Sequence, residues 1–235
     1  NVDKDCVVEE KDVAFSIYEV PRVFMDQGLD KLIARRLRLR YKREAEMRPW
    51  KRMLNALSNP KQDVDIAVVG KYINLQDAYK SIYEALTHAG IANRARVNVR
   101  RVESNEIDQK GAAKVLAGTH GVLVPGGFGV RGIEGKVKAV HWARTNNVPF
   151  FGICLGMQCA TIEFARHVLH LAQANSTEFE LQTAHPVIHL MEEQKEVQEM
   201  GGSMRLGAYP CALTRDSKSR AAYGQTTISE RHRHR

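Results

Sequence analysis

The chain has 235 residues, enough for one α/β domain with a tail and too few for two full domains. Hydrophobic residues make up 43% and charged residues 26%, and no run of about 18 apolar residues occurs, so a globular chain without a membrane span is expected. The net charge of +8 points first to nucleic acid, but much of the excess gathers in residues 35–43 and 231–235 without interleaved aromatics. A solvated linker, or a site for phosphates and carboxylates, fits that distribution better. The first ten residues are polar and acidic, unlike a signal peptide. Four cysteines without a CxxC pair argue against a disulfide framework and for a reduced, cytoplasmic compartment.

Residues 1–45 do not read as a self-contained unit. Residues 16–21 (SIYEVP) form a short extended piece leading into a turn or helix start at Pro21. Residues 24–40 place Leu29, Leu32, Ile33 and Leu37 at helical spacing. A charged, poorly periodic stretch then runs to Pro60, and residues 41–62 are expected to be an interdomain linker. From residue 63 the pattern changes. Residues 66–71 (IAVVGK) are a buried strand, and 78–88 a helix stopped by Gly90. Residues 97–102 alternate as a strand, 107–116 read as helix, and 121–124 as a third buried strand. A helix over 132–146, a strand over 148–153 and a helix to about residue 170 follow. Past residue 175 the pattern loosens. Strands alternating with helices at this spacing imply an open, mostly parallel sheet with helices on both faces.

Ligands of such sheets sit outside the carboxyl ends of the strands, and two strands here end in glycine-rich turns. Gly152-Ile153-Cys154-Leu155-Gly156 joins an apolar strand to a helix, the cysteine version of a nucleophile elbow. The sharp turn would lift the Cys154 sulfur to a helix N-terminus, where the dipole favours thiolate, and aim the Leu155 N–H at an oxyanion. The alternative is a buried structural cysteine that happens to precede a helix. Cys159, inside the helix, is assigned to packing. Pro125-Gly126-Gly127-Phe128-Gly129 can aim a second N–H, that of Gly127, at the same oxyanion. A phosphate-binding loop is the rival, but the lysine of that motif is missing. Metal binding has no support, because no His/Cys/Asp cluster shows ligand spacing.

The motifs VPGGFGVRG (124–132), GICLGMQ (152–158), NSTEF (175–179), GGSMRLG (201–207) and SERHRHR (229–235), in this order, resemble the cytidine triphosphate synthase family. SIYEVP and GKYINLQDAYKSIYEAL (70–86) fit the same family. The resemblance implies a class I glutaminase fold, flavodoxin-like, with Cys154 as the nucleophile that frees ammonia from glutamine. It implies oxyanion donors at Gly127 and Leu155, and glutamine contacts from Gly127, Leu155, Gly156, Met157, Gln158, Glu178 and Arg233. It further implies a separate synthase activity in which ATP, with Mg2+, activates UTP for amination, with GTP as activator through the GGSMRLG lid near Phe128, in a homotetramer. Ser203 stands where most relatives have threonine. On this reading residues 1–40 are the end of the synthase domain and 63–235 a glutaminase domain incomplete at its C-terminus. Lys11, Asp12 and Val13 match the family's ATP contact, although a solvated surface turn explains them equally well. The family's catalytic histidine and glutamate follow the RHRHR motif, so the isolated chain is expected to have little glutaminase activity. His185, in Ala184-His185-Pro186, imitates the motif of that histidine but lacks the glutamate two positions on, and is rejected. His167 and His170 are read as exposed cap residues. Two other functions stay open: a same-fold hydrolase of peptides or γ-glutamyl compounds, and a non-catalytic binding module.

Overall fold

The computed structural model describes residues 2–40, 46–71, 73, 75–191, 194 and 205–233. The chain divides into two compact units, one of Asn1–Val64 with Glu84–Val97 and one of Asp65–Tyr83 with Asn98–Arg235.

In the first unit a capping box starts the structure. The Ser16 hydroxyl accepts from Tyr18 N at 3.3 Å, and the Glu19 carboxylate accepts from Ser16 N at 3.3 Å. Helix α1 (Val20–Asp26) follows at once, with Pro21 in its first turn, so the segment read as extended is already helical. The single helix expected over residues 24–40 is two. Gly28, at φ 77°, separates α1 from α2 (Leu29–Arg36). The stretch read as a featureless linker holds helix α3 (Arg48–Ser58). Trp50, Met53, Leu54 and Leu57 supply its i, i+3, i+4, i+7 apolar face, which the surrounding charge had obscured. Trp50 Nε1 donates to the Tyr18 carbonyl at 2.7 Å, and the Tyr18 hydroxyl donates to Glu84 at 2.8 Å. Helix α4 (Lys80–Asn93) runs past Gly90, which does not stop it. A Cβ at Gly90 would lie 2.6 Å from the Ala95 carbonyl oxygen, so this glycine permits a close approach instead of capping a helix.

The second unit is built on a four-stranded sheet of order β2-β1-β3-β4. Its strands are β1 (Gln62–Gly70), β2 (Ala95–Glu103), β3 (Gly121–Val124) and β4 (Phe150–Gly152), the first two beginning in the other unit. β1 pairs parallel with β3, Ile66 opposite Gly121, and β3 pairs parallel with β4, Val122 opposite Phe150. Strand alternation sends Ala67, Val69, Val122 and Val124 into a core with Ile107, Leu116, Ala139 and Ala143. Val68 and Leu123, pointing the other way, are buried too, as both-face burial in an α/β sheet requires. A helix expected over 107–116 is broken at Gly111 (φ 82°) into α5 (Ser104–Lys110) and α6 (Ala112–Val115). Helices α7 (Ile133–Thr145) and α8 (Leu155–His167) pack together through Ile133, Val137, Val140, Leu155, Cys159 and Ile162. Downstream, β5 (Ala174–Ser176) pairs parallel with β6 (His185–Ile188). β7 (Arg205–Ala212) and β8 (Thr227–Arg233) form an antiparallel pair joined through α9 (Lys218–Tyr223). The architecture is the expected open α/β sheet, not a closed barrel. Among the described residues no helix is long and apolar enough to cross a membrane.

Candidate active site

Strand β4 ends at Gly152 and α8 begins at Leu155, which leaves two residues to reverse the chain. Cys154 does so at φ 52°, ψ −102°, outside the regions open to a residue with a Cβ. Such a conformation costs about 1–3 kcal/mol and persists only where its surroundings impose it. The flanking glycines show how tight the turn is. A Cβ at Gly156 would lie 2.1 Å from the Val124 carbonyl oxygen, and one at Gly152 would lie 2.4–2.6 Å from the backbone of Gly156 and Met157. No side chain fits at either position. The turn is pinned by Ile153 N donating to Val124 O and Gly156 N to Ile153 O, both at 2.9 Å. Cys154 is half-buried and stands at the N-cap position of α8 without a side-chain capping bond. Cys159, one turn inside, is fully buried, and burial pushes its thiol up to about 12, so it is inert at neutral pH, as a packing residue should be.

The second glycine turn lies against the first. A Cβ at Gly126 would be 3.5 Å from that of Cys154, and one at Gly127 would be 3.4 Å from Leu155 Cδ2. The structure therefore brings Gly127, Cys154 and Leu155 together. Two side chains hold this turn from outside, and two more bond its neighbours. Glu178 accepts from Gly129 N at 2.9 Å, and Lys71 Nζ donates to the Phe128 carbonyl. Arg131 donates to the Lys71 carbonyl at 2.9 Å, and Lys136 Nζ donates to the Gly132 carbonyl at 3.2 Å. Lys136 is only 2% exposed, and burial lowers its pKa. Sequence reading missed Lys71, Arg131 and Lys136. The one signal was a lysine three residues after Ile133 on the apolar face of α7.

The remaining candidate positions are placed unevenly. Leu155 and Gly156 are buried at the helix start, Met157 is exposed, and the Gln158 side chain is buried, so it does not open to solvent. Glu178 already serves the Gly129 N–H and presents one carboxylate oxygen to that turn. Arg233 closes β8, but its side chain lies outside the described residues, as does the segment 201–204 of the proposed lid. Lys11 and Asp12 are exposed in a stretch of the first unit outside helix and strand, Val13 beside them is half-buried, and Lys11 pairs with Glu9 at 2.9 Å. His185 is an exposed residue opening β6, the strand start expected for it.

His167 is exposed in the last turn of α8, as expected, and it also neighbours His141 and Glu163. His141, Glu163 and His167 each place one potential ligand atom within 4.8 Å of the others. His167 follows Glu163 by one helical turn, but His141 joins them from a different helix.

The glutamine amidotransferase class-I family model matches residues 74–235. The chain is 52% identical over 235 residues to a CTP synthase of Cytophaga hutchinsonii, covering all of this chain and 43% of that protein. It is 49% identical to the CTP synthase of Aquifex aeolicus with the same coverage. The chain thus spans less than half the length of these curated relatives. Among solved structures, the glutaminase domain of Trypanosoma brucei CTPS with bound acivicin is similar at a TM-score of 0.63 and 40% identity. That match covers 73% of this chain and 67% of the other. A family match over most of the chain, on an open sheet carrying a strained cysteine between a strand and a helix, has one consequence: the chain belongs to the class-I glutamine amidotransferases.

Proposed function

We propose that the chain carries the nucleophile of a glutamine-hydrolysing CTP synthase, with Cys154 as that nucleophile. The observation that carries this reading is the backbone of Cys154, held at φ 52° between β4 and α8 beside a glycine turn. In this scheme the Cys154 thiolate attacks the side-chain amide carbon of glutamine. The N–H groups of Gly127 and Leu155 take the negative charge that develops on the amide oxygen. Collapse of the tetrahedral adduct expels ammonia, which needs one proton from a general acid, and leaves a glutamyl thioester. Water then hydrolyses the thioester to glutamate and restores the thiol. Among the described residues we assign none to the general acid. The main chain of Leu155, Gly156, Met157 and Gln158 would line the amide end of the substrate, Glu178 would reach it from the neighbouring turn, and Arg233 would pair with the α-carboxylate through its planar, two-pronged guanidinium. Acivicin bound to a glutaminase domain 40% identical to this chain supports a small amino-acid-like ligand here.

The whole-enzyme reading is amination of UTP to CTP, supported by relatives named CTP synthase near 50% identity. ATP as phosphate donor, GTP as activator, a homotetramer and a cytoplasmic location belong to the same proposal. Lys11, Asp12 and Val13 would offer a nucleotide two exposed side chains, Lys11 and Asp12, outside any helix or strand. No cluster of three carboxylates suited to Mg2+ occurs among the described residues. Incubating the purified chain with a glutamine-analogue electrophile and mapping the adduct by mass spectrometry tests the central assignment. The expected result is one adduct on Cys154, slowed by free glutamine and absent in Cys154→Ser. An adduct confined to Cys6 or Cys211, or none at all, would overturn it.

A further inference from the structure

Lys136 puts an ammonium where the packed side of α7 calls for an apolar group. In sequence it stands among Ile133, Val137 and Val140, which pack on Leu155, Cys159 and Ile162 of α8, and it is 2% exposed. Among the described residues it makes no ion pair. Its ammonium donates to the carbonyls of Arg131, at 3.5 Å, and Gly132, at 3.2 Å. Burial first, then the neighbouring cations Lys71 and Arg131, hold its pKa down, and Glu103, which favours the charge, already faces Arg131 at 3.6 Å. The ammonium also folds back onto the first turn of α7, the positive end of the helix dipole. A methionine would keep the packing and shed these costs, so the stability of the fold gives no account of the charge.

The two carbonyls it holds give one. They are the exit of the glycine turn, where the chain passes between left-handed residues at Gly129 (φ 81°) and Gly132 (φ 71°). Upstream the turn leaves the buried strand β3, and at its middle Lys71 takes the Phe128 carbonyl and Glu178 the Gly129 amide. At the exit, Val130 and Arg131 are exposed and put no side chain into a core. We propose that Lys136 is a positioning residue of the glutamine site, anchoring the exit of the 125–129 turn so that the Gly127 N–H is fixed before charge develops. This role rests on Cys154 being the glutaminase nucleophile. Lys136 touches no substrate and acts through the turn, with bonds that its charge strengthens over those of a neutral donor.

The test uses the whole chain and Lys136→Met, with Lys136→Leu as a second apolar variant should methionine disturb the fold. At neutral pH it reads the denaturation midpoint, hydrogen exchange of the 126–132 amides, and the rate of Cys154 modification. Modification is followed with a glutamine-analogue diazo ketone, whose carbonyl the oxyanion donors must receive, and with iodoacetamide, whose displacement chemistry needs none. The expected result is a split. Lys136→Met is at least as stable as the parent, since the Gly132 carbonyl keeps its bond from the residue 136 main-chain N–H at 3.3 Å. Exchange in 126–132 rises about tenfold and the limiting rate of diazo-ketone labelling falls about tenfold. The half-saturating diazo-ketone concentration and the iodoacetamide rate stay within about threefold of the parent. A lysine that only holds the core gives another pattern, in which stability and both labelling rates fall together, and that pattern would overturn the proposal. So would exchange and diazo-ketone labelling that stay within about twofold of the parent. A parent that takes no diazo-ketone label refutes the glutamine reading instead. The exchange measurement then decides the anchoring alone, and unchanged exchange refutes it.

Discussion

Replacing Cys154 by alanine and by glycine separates the chemistry of the thiol from the strain of its backbone. Both variants lose the sulfur, and they differ only in a Cβ. At φ 52°, ψ −102° that Cβ costs about 1–3 kcal/mol, which glycine does not incur. Glycine loses about 0.4–1 kcal/mol of this advantage through its freer unfolded state. Cys154→Gly should therefore be more stable than Cys154→Ala by about 0.5–2 kcal/mol, or roughly 1–8 °C in Tm for a chain of this size. Denaturant titration of the two variants under identical conditions measures the difference. The sign carries the information. At a relaxed position Ala→Gly destabilises, so a glycine variant that is equal to or less stable than the alanine variant refutes the claim that the nucleophile position stores strain.

Gly156→Ala puts a Cβ 2.1 Å from the Val124 carbonyl, so α8 must retreat by about 1 Å. It should cost about 1–3 kcal/mol and slow electrophile labelling of Cys154 on the order of 100-fold, measured by denaturation and adduct formation. Because burial holds the Cys159 thiol near 12, a thiol reagent at pH 8 should modify Cys154 and spare Cys159 until denaturant is added, as read by peptide mapping. Burial depresses the Lys136 amine below its usual 10.5, so the unfolded chain binds more protons than the folded one. Stability should then rise with pH from the depressed folded value up to 10.5. Lys136→Met should flatten that rise in denaturation midpoints measured across the window.

Sheet and elbow were legible because both leave a period or a spacing in the chain. IAVVG and GVLV are continuous apolar runs, as strands buried on two faces must be, and the G-x-C-x-G spacing encodes a turn that only glycine fits. Helix α3 was missed although its apolar face was present, since six residues of the 11-residue helix are not hydrophobic and three of them are cationic. Gly90 and Gly111 show that a glycine's role is set by its neighbours in space. One sits inside a helix against Ala95, and the other breaks a helix at positive φ. The His141–Glu163–His167 group was illegible for the same reason. The pair at 163 and 167 is local, but the third member joins only when α7 packs on α8.

Glycines explain why the 125–129 turn can take its shape, yet they also make it costly to hold there. Each ordered residue gives up about 1–2 kcal/mol of backbone freedom, and glycine gives up the most. A turn meant to present an N–H to a developing charge must be fixed before the charge develops, or the rate gain is spent on ordering it. In this chain the fixing comes from Lys71 and Glu178, which bond the turn itself, with Lys136 on the Gly132 carbonyl just beyond it and Arg131 on the Lys71 main chain. Lys71 takes the Phe128 carbonyl and Glu178 the Gly129 amide, and neither contact uses the Gly127 N–H. Permission to bend is written in the five-residue motif, and rigidity is supplied by residues up to 107 positions apart along the sequence, from 71 to 178.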